Sequence, residues 1–311
     1  MAGPGEGKRG WSRRRLLVAA GSVAGVAVAG FGGAYELVSH GVVPGKSVLA
    51  GLDGACSVPG AGFAYPAGAG PAVSGTFRSA ARGRDVGYTI GYPPGARPGD
   101  ALPLIVMLHG FGASHQDALS GLTPAQAVAL RPPGARPLPP MALVTVDGGD
   151  GYWNPHPGDD PMAMLVDELI PRCARAGLGR DGRVAVMGIS MGGYGALLLG
   201  ERHPGLVRAV AAISPAIWTS YAQARAANAG AFASAAAFAA ADVVAHAGAL
   251  AGTPVRVAAG YSDPFYPGVR ALAAALPAGA VTDFAPGCHT GPFFQPQEVS
   301  SLQFAGDYLG P

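Results

Sequence analysis

Residues 183–202 constrain this chain more than any other stretch. An apolar run from Val184 to Ile189 enters the turn Gly188-Ile189-Ser190-Met191-Gly192, and a small-residue helical segment, Met191 to Arg202, leaves it. In a Gly-x-Ser-x-Gly turn joining a strand to a helix, side chains two residues either side of the serine would collide. Gly188 and Gly192 remove them, and Gly193 leaves room for a close backbone approach. Such a turn lifts a hydroxyl above the edge of a sheet, over the N-terminus of a helix. That hydroxyl becomes a nucleophile once a base takes its proton. The chain must therefore supply a sheet with Ser190 at its carboxyl edge.

The rest of the sequence supplies it. Ser74 to Ser79 and Asp85 to Tyr92 alternate as two strands around a Gly-containing turn, predicting an antiparallel hairpin. Short continuous apolar runs follow at 102–108, 141–146, 183–189, 207–213, 255–259 and 281–284, as expected for strands covered on both faces. Helical patterns fall between them, at 162–176, 191–202, 269–276 and 297–309. Strands alternating with helices predict an α/β fold, a mostly parallel central sheet with helices on both faces. Ligands bind such sheets at the carboxyl ends of the strands. Alanine-heavy residues 216–250 predict a short helical insertion between two strands.

The N-terminus reads as an address. Ser12-Arg13-Arg14-Arg15-Leu16-Leu17 is similar to a twin-arginine export signal, with Lys8 and Arg9 before it and an apolar, Ala/Gly-rich run to about Gly33 after it. Ala27-Val28-Ala29 offers a small-x-small cleavage site. An exported protein is expected, secreted or held at the cell envelope, with association to membrane or cell wall through this segment if it stays uncleaved. Residues 34–72 read as a Gly/Pro/Ala-rich linker or arm, and 73–311 as the catalytic domain. The 50 glycines and 29 prolines punctuate loops, and a net charge of +2 gives no reason to expect nucleic acid. The spacing of Cys56, Cys173 and Cys288 fits no metal site, and Asp147, Asp150, Asp159 and Asp160 lack an EF-hand pattern, so no metal is expected. Export permits a disulfide, but three thiols cannot all pair; a small buried thiol is the default for Cys173 and Cys288.

Serine chemistry needs a base, an orienting acid and an oxyanion hole. His289 follows the last predicted strand, whereas His246 sits in the alanine-rich segment as a helix-surface residue. Asp263 is the carboxylate on the loop after the preceding strand; Asp283 lies within the last strand and Asp242 before its neighbour. Leu108-His109-Gly110-Phe111-Gly112 follows a buried strand, so the Phe111 and Met191 amides are the expected oxyanion donors, and His109 takes a structural role. Tyr152, Trp153, Trp218, Phe265 and Phe293, together with Tyr266 and Phe294, fall on carboxyl-edge loops and suggest an apolar acyl or aryl pocket.

Those residues resemble the α/β-hydrolase serine esterases. The string Ser190-Met191-Gly192-Gly193-Tyr194-Gly195-Ala196 is most similar to the esterase D group, which includes S-formylglutathione hydrolases, feruloyl esterases and mycolyltransferases. The resemblance covers roughly residues 73–309. It implies hydrolysis of small-molecule or lipid carboxylic esters through a Ser-His-acid triad without a cofactor. A cell-envelope acyltransferase using a sugar hydroxyl, and a catalytically silent envelope-binding protein, are the alternatives. The chain departs from the group after the histidine, where Thr290-Gly291-Pro292 stands in place of an aromatic.

Overall fold

A computed structural model describes Cys56 and residues 69–130, 138–179 and 181–310. The expected export signal (1–33) and nearly all of the expected 34–72 arm lie outside the described residues.

One eight-stranded sheet organises these residues: β1 (Ala72–Ser79), β2 (Arg84–Gly91), β3 (Leu104–Leu108), β4 (Ala142–Val146), β5 (Val184–Ile189), β6 (Val207–Ile213), β7 (Val255–Gly260) and β8 (Val281–Ala285), in spatial order β1-β2-β4-β3-β5-β6-β7-β8. The expected hairpin is β1 and β2. Antiparallel pairing continues from β2 to β4, and every pair from β4 to β8 is parallel. β3, β4 and β7 are buried along their whole length, and their sequences are apolar except for Thr145, which donates to His115 O, and Arg256, which is bonded to Ser301, Asp283 and Gln297. β1 and β8 are the partly exposed edges.

Alternation along each strand divides the core. Leu104, Val106 and Leu108 point to one face, Ile105 and Met107 to the other. The first face is covered by α2 (helical through 161–175, with a π-helical stretch Met164–Leu169), α3 (Met191–Arg202) and α6 (Tyr266–Ala275). The second is covered by α1 (His115–Leu130) and α7 (Gly291–Asp307). Between β6 and β7 the alanine-rich segment forms α4 (Tyr221–Ala227), α5 (Ala235–Ala240) and a 3-10 turn, Ala247–Leu250. Ser220 and Ser234 cap α4 and α5 by accepting from the backbone N–H three residues on.

Three elements differ from expectation. α1 has no clear signal in the sequence, because Gly121 and Pro124 interrupt its apolar period. α6 begins at Tyr266 rather than Val269, with Pro267 in its first turn, where the missing N–H costs nothing. α7 begins at Gly291 and runs through Pro296, which hid its first turn in the sequence.

Candidate active site

β3 and β5 are neighbours, with Leu108 level with Gly188, so the turns leaving them meet at the carboxyl edge. Ser190 stands between β5 and α3 at φ 58°, ψ −121°, a strained conformation for a residue with a Cβ. β6 and the loop after it hold it there: Ser190 N–H donates to Ile213 O (2.9 Å), and Ser190 O accepts from Ala216 N–H (3.0 Å). A Cβ on Gly192 would overlap the Leu108 carbonyl, and one on Gly188 would overlap the Gly192 backbone. The elbow closes only because both are glycine.

Further along the sheet, Asp263 follows β7 and His289 follows β8. Their two loops are laced together: Tyr261 N–H donates to Ala285 O (2.9 Å) and Ser262 N–H to Gly287 O (3.0 Å). His289 Nδ1 lies 2.8 Å from Asp263 Oδ2, and His289 Nε2 lies 2.9 Å from Ser190 Oγ. Asp263 is fully buried, and its Oδ1 accepts from Phe265 N–H (2.8 Å). A carboxylate only accepts, so Nδ1 carries the ring proton and Nε2 is free to accept from the serine hydroxyl. Asp283 instead pairs with Arg256 (2.7 Å), and His246 is exposed.

On the opposite flank, Gly110 lies against Ser190; a Cβ there would sit 3.6 Å from Ser190 Cβ. His109 is buried, and both of its ring nitrogens are committed. Nδ1 meets Gly110 O at 2.7 Å, and Nε2 meets Gly148 N at 2.9 Å. A carbonyl accepts and an amide donates, so His109 is the neutral Nδ1–H tautomer. Burial, the largest cause, holds its pKa below the ordinary histidine value. Fixing Gly110 C=O also fixes the Phe111 N–H of the same trans peptide, which points the opposite way. Phe111 itself is 59% exposed. Met191 opens α3, its amide at the positive end of the helix.

The structure brings Ser190, Asp263 and His289 together, with Gly110–Phe111 and Met191 beside the serine. It divides the expected pocket aromatics. Trp153 is fully buried; its indole N–H donates to His109 O (3.3 Å), and its ring packs where side chains on Gly148 or Gly195 would stand. Phe293 is buried against Gly287, and Tyr152 against Tyr194 and Phe232. As pocket walls these three are corrected to packing residues: neighbouring segments of the fold cover them. Trp218 and Phe265 remain partly exposed, and Phe294, which sits against the His289 ring at 5.0 Å, joins them. The four aspartates of the 147–160 loop all bond within the protein. Asp147 accepts from His115 and Gly87 N–H, Asp150 from Gly112 N–H, Asp159 from Arg82 and Arg84, and Asp160 from Ala163 N–H.

Cys288 is corrected as well. It is not a free thiol but is disulfide-bonded to Cys56, next to His289 in sequence; a pairing so distant along the chain leaves no local signal. Cys173 is the buried free thiol, its pKa pushed up to about 12 by burial.

Residues 79–275 match the family described as "Putative esterase". No curated protein matches the sequence. Among solved structures, an S-formylglutathione hydrolase from Agrobacterium tumefaciens is similar at 16% identity and a TM-score of 0.64, over 79% of this chain and 98% of that one. A serine-to-alanine mutant of the feruloyl esterase module from Clostridium thermocellum, complexed with sinapinate, is 15% identical at a TM-score of 0.60, over 82% and 94%. A substrate-bound, fluorophosphonate-binding serine hydrolase of Staphylococcus aureus is 14% identical at 0.58, over 77% and 99%. The fold they share with this chain is the α/β-hydrolase fold.

Proposed function

This chain belongs to that esterase family and is a carboxylic-ester hydrolase of the serine class; we propose that it is exported and that Ser190, His289 and Asp263 carry its chemistry. The observation that supports the residue assignment is the unbroken relay from Ser190 Oγ to His289 Nε2 (2.9 Å) and from His289 Nδ1 to Asp263 (2.8 Å). Ser190 Oγ attacks the ester carbonyl carbon while its proton passes to His289 Nε2. The negative charge that develops on the carbonyl oxygen is met by the Phe111 and Met191 amides. On collapse the carbon–oxygen bond to the alcohol breaks, and the alcohol leaves with the proton from His289. Water then gives a proton to His289 and attacks the acyl-serine, and His289 returns that proton to Ser190 as the acid departs. Asp263 keeps the imidazole in the correct tautomer and stabilises its charged form. No step uses a cofactor.

Export is supported by the Cys56–Cys288 bond, since such bonds persist in oxidising compartments, and by the twin-arginine pattern at Arg13-Arg14. Turnover of p-nitrophenyl acetate by Ser190→Ala tests the chemistry. The kcat is expected to fall by about 10⁴-fold or more; near-normal turnover by that variant refutes the assignment.

A further inference from the structure

The proposed relay also says which half of the ester faces which wall. The base returns its proton to the leaving oxygen, so the alcohol departs across His289. Two rings touch that imidazole: Phe265, with centroids 5.2 Å apart at 63°, and Phe294, at 5.0 Å and 84°. Trp218 meets Phe265 edge-on at 4.8 Å. All three remain partly exposed, whereas Trp153, Tyr152 and Phe293 are buried.

These aromatics stand on fixed supports. The Trp218 indole N–H donates to Tyr152 Oη (2.7 Å), so its one polar atom is used, and what it offers a ligand is apolar ring. Phe265 N–H is tied to Asp263, and Phe294 N–H to Thr290 O (3.1 Å) in the first turn of α7. None of these three side chains carries a charge. On the oxyanion side of the serine Asp150 holds an exposed carboxylate at the Gly112 amide. An anionic leaving group finds no counter-charge on these three side chains, whereas a flat neutral ring can pack against aromatic surface on either side of the imidazole.

We propose that Trp218, Phe265 and Phe294 form a leaving-group subsite for neutral arylalkyl alcohols, so that this esterase selects its substrates by the alcohol half. The proposal rests on the relay assigned above, and the experiment separates the two. The acetates of benzyl alcohol, cyclohexylmethanol and ethanol share one acyl group, and their alcohols are similarly poor leaving groups, so differences in kcat/KM report recognition. Benzyl acetate is expected to exceed ethyl acetate by at least 10-fold. It should exceed cyclohexylmethyl acetate by about 2- to 10-fold, the range expected for ring–ring contacts beyond plain burial. Trp218→Leu should pull the benzyl-to-cyclohexylmethyl ratio towards one, while Tyr308→Ala, at the far end of α7, should leave it in place. Equal turnover of benzyl and cyclohexylmethyl acetates, a ratio unmoved in Trp218→Leu, or a preference for an acetylated sugar over benzyl acetate would overturn the subsite. Absence of turnover of every acetate by folded protein would instead overturn the proposed function itself.

Discussion

The two flanks of Ser190 are built on opposite plans. On the β3/β4 side, side chains are spent on holding backbone. His109 has both nitrogens bonded, Trp153 is fully buried with its indole on His109 O, Arg82 reaches Asp147 O, and Asp150 joins Gly112 N–H to the insertion through Asn228. On the β7/β8 side, backbone is spent on displaying side chains. Asp263 and His289 project from loops cross-bonded to each other, the disulfide anchors Cys288, and partly exposed rings surround the imidazole. In the proposed mechanism one flank receives the negative charge, and the other handles the proton and meets the alcohol. Damage to the first should therefore appear mainly as lost stability, and damage to the second as lost turnover.

Asp263→Asn gives that division its largest test. The amide cannot hold the Nδ1–H tautomer, so kcat for p-nitrophenyl acetate should drop by about 10⁴-fold. A fall of less than tenfold would mean that the β7/β8 flank does not run the proton transfer. Trp153→Ala comes next, on the other flank. Emptying that site should cost about 3–5 kcal/mol in denaturant unfolding, and the partly exposed Trp218, changed to Ala, should cost clearly less. Equal costs would erase the contrast between packing ring and displayed ring.

The smallest effect is a pH slope. His109 is held neutral in the folded protein, with its pKa depressed chiefly by burial. An unfolded chain takes up a proton on this residue near pH 6.5, before the folded one does. The stabilisation is thus full above about pH 6.5 and is lost as pH falls below it. Wild-type Tm should decline between pH 7 and pH 5 more steeply than that of His109→Gln. Parallel profiles would show that His109 carries no such linkage.

The contrast also explains what could be read in advance. Ser190, Asp263 and His289 stand at strand ends, where residue type, chain order and flanking glycines or prolines give a local signal, and the boundaries of α3 and β6 fall at the expected residues. The 216–250 segment folds as the expected short helices. The roles of Tyr152, Trp153 and Phe293 were not legible, because an aromatic in a loop looks the same whether a neighbouring segment covers it or leaves it open. The Cys56–Cys288 pair joins residues 232 apart in sequence, and only the closed fold brings them within bonding distance. α1 escaped because its packing, not its own sequence pattern, overrides Gly121 and Pro124.

The most direct measurement is intact-mass and peptide analysis of the protein after brief exposure to a stoichiometric fluorophosphonate. A single adduct on the peptide containing Ser190 is predicted, forming far more slowly in His289→Ala. An adduct on a different serine, or labelling of His289→Ala at the wild-type rate, would contradict the account.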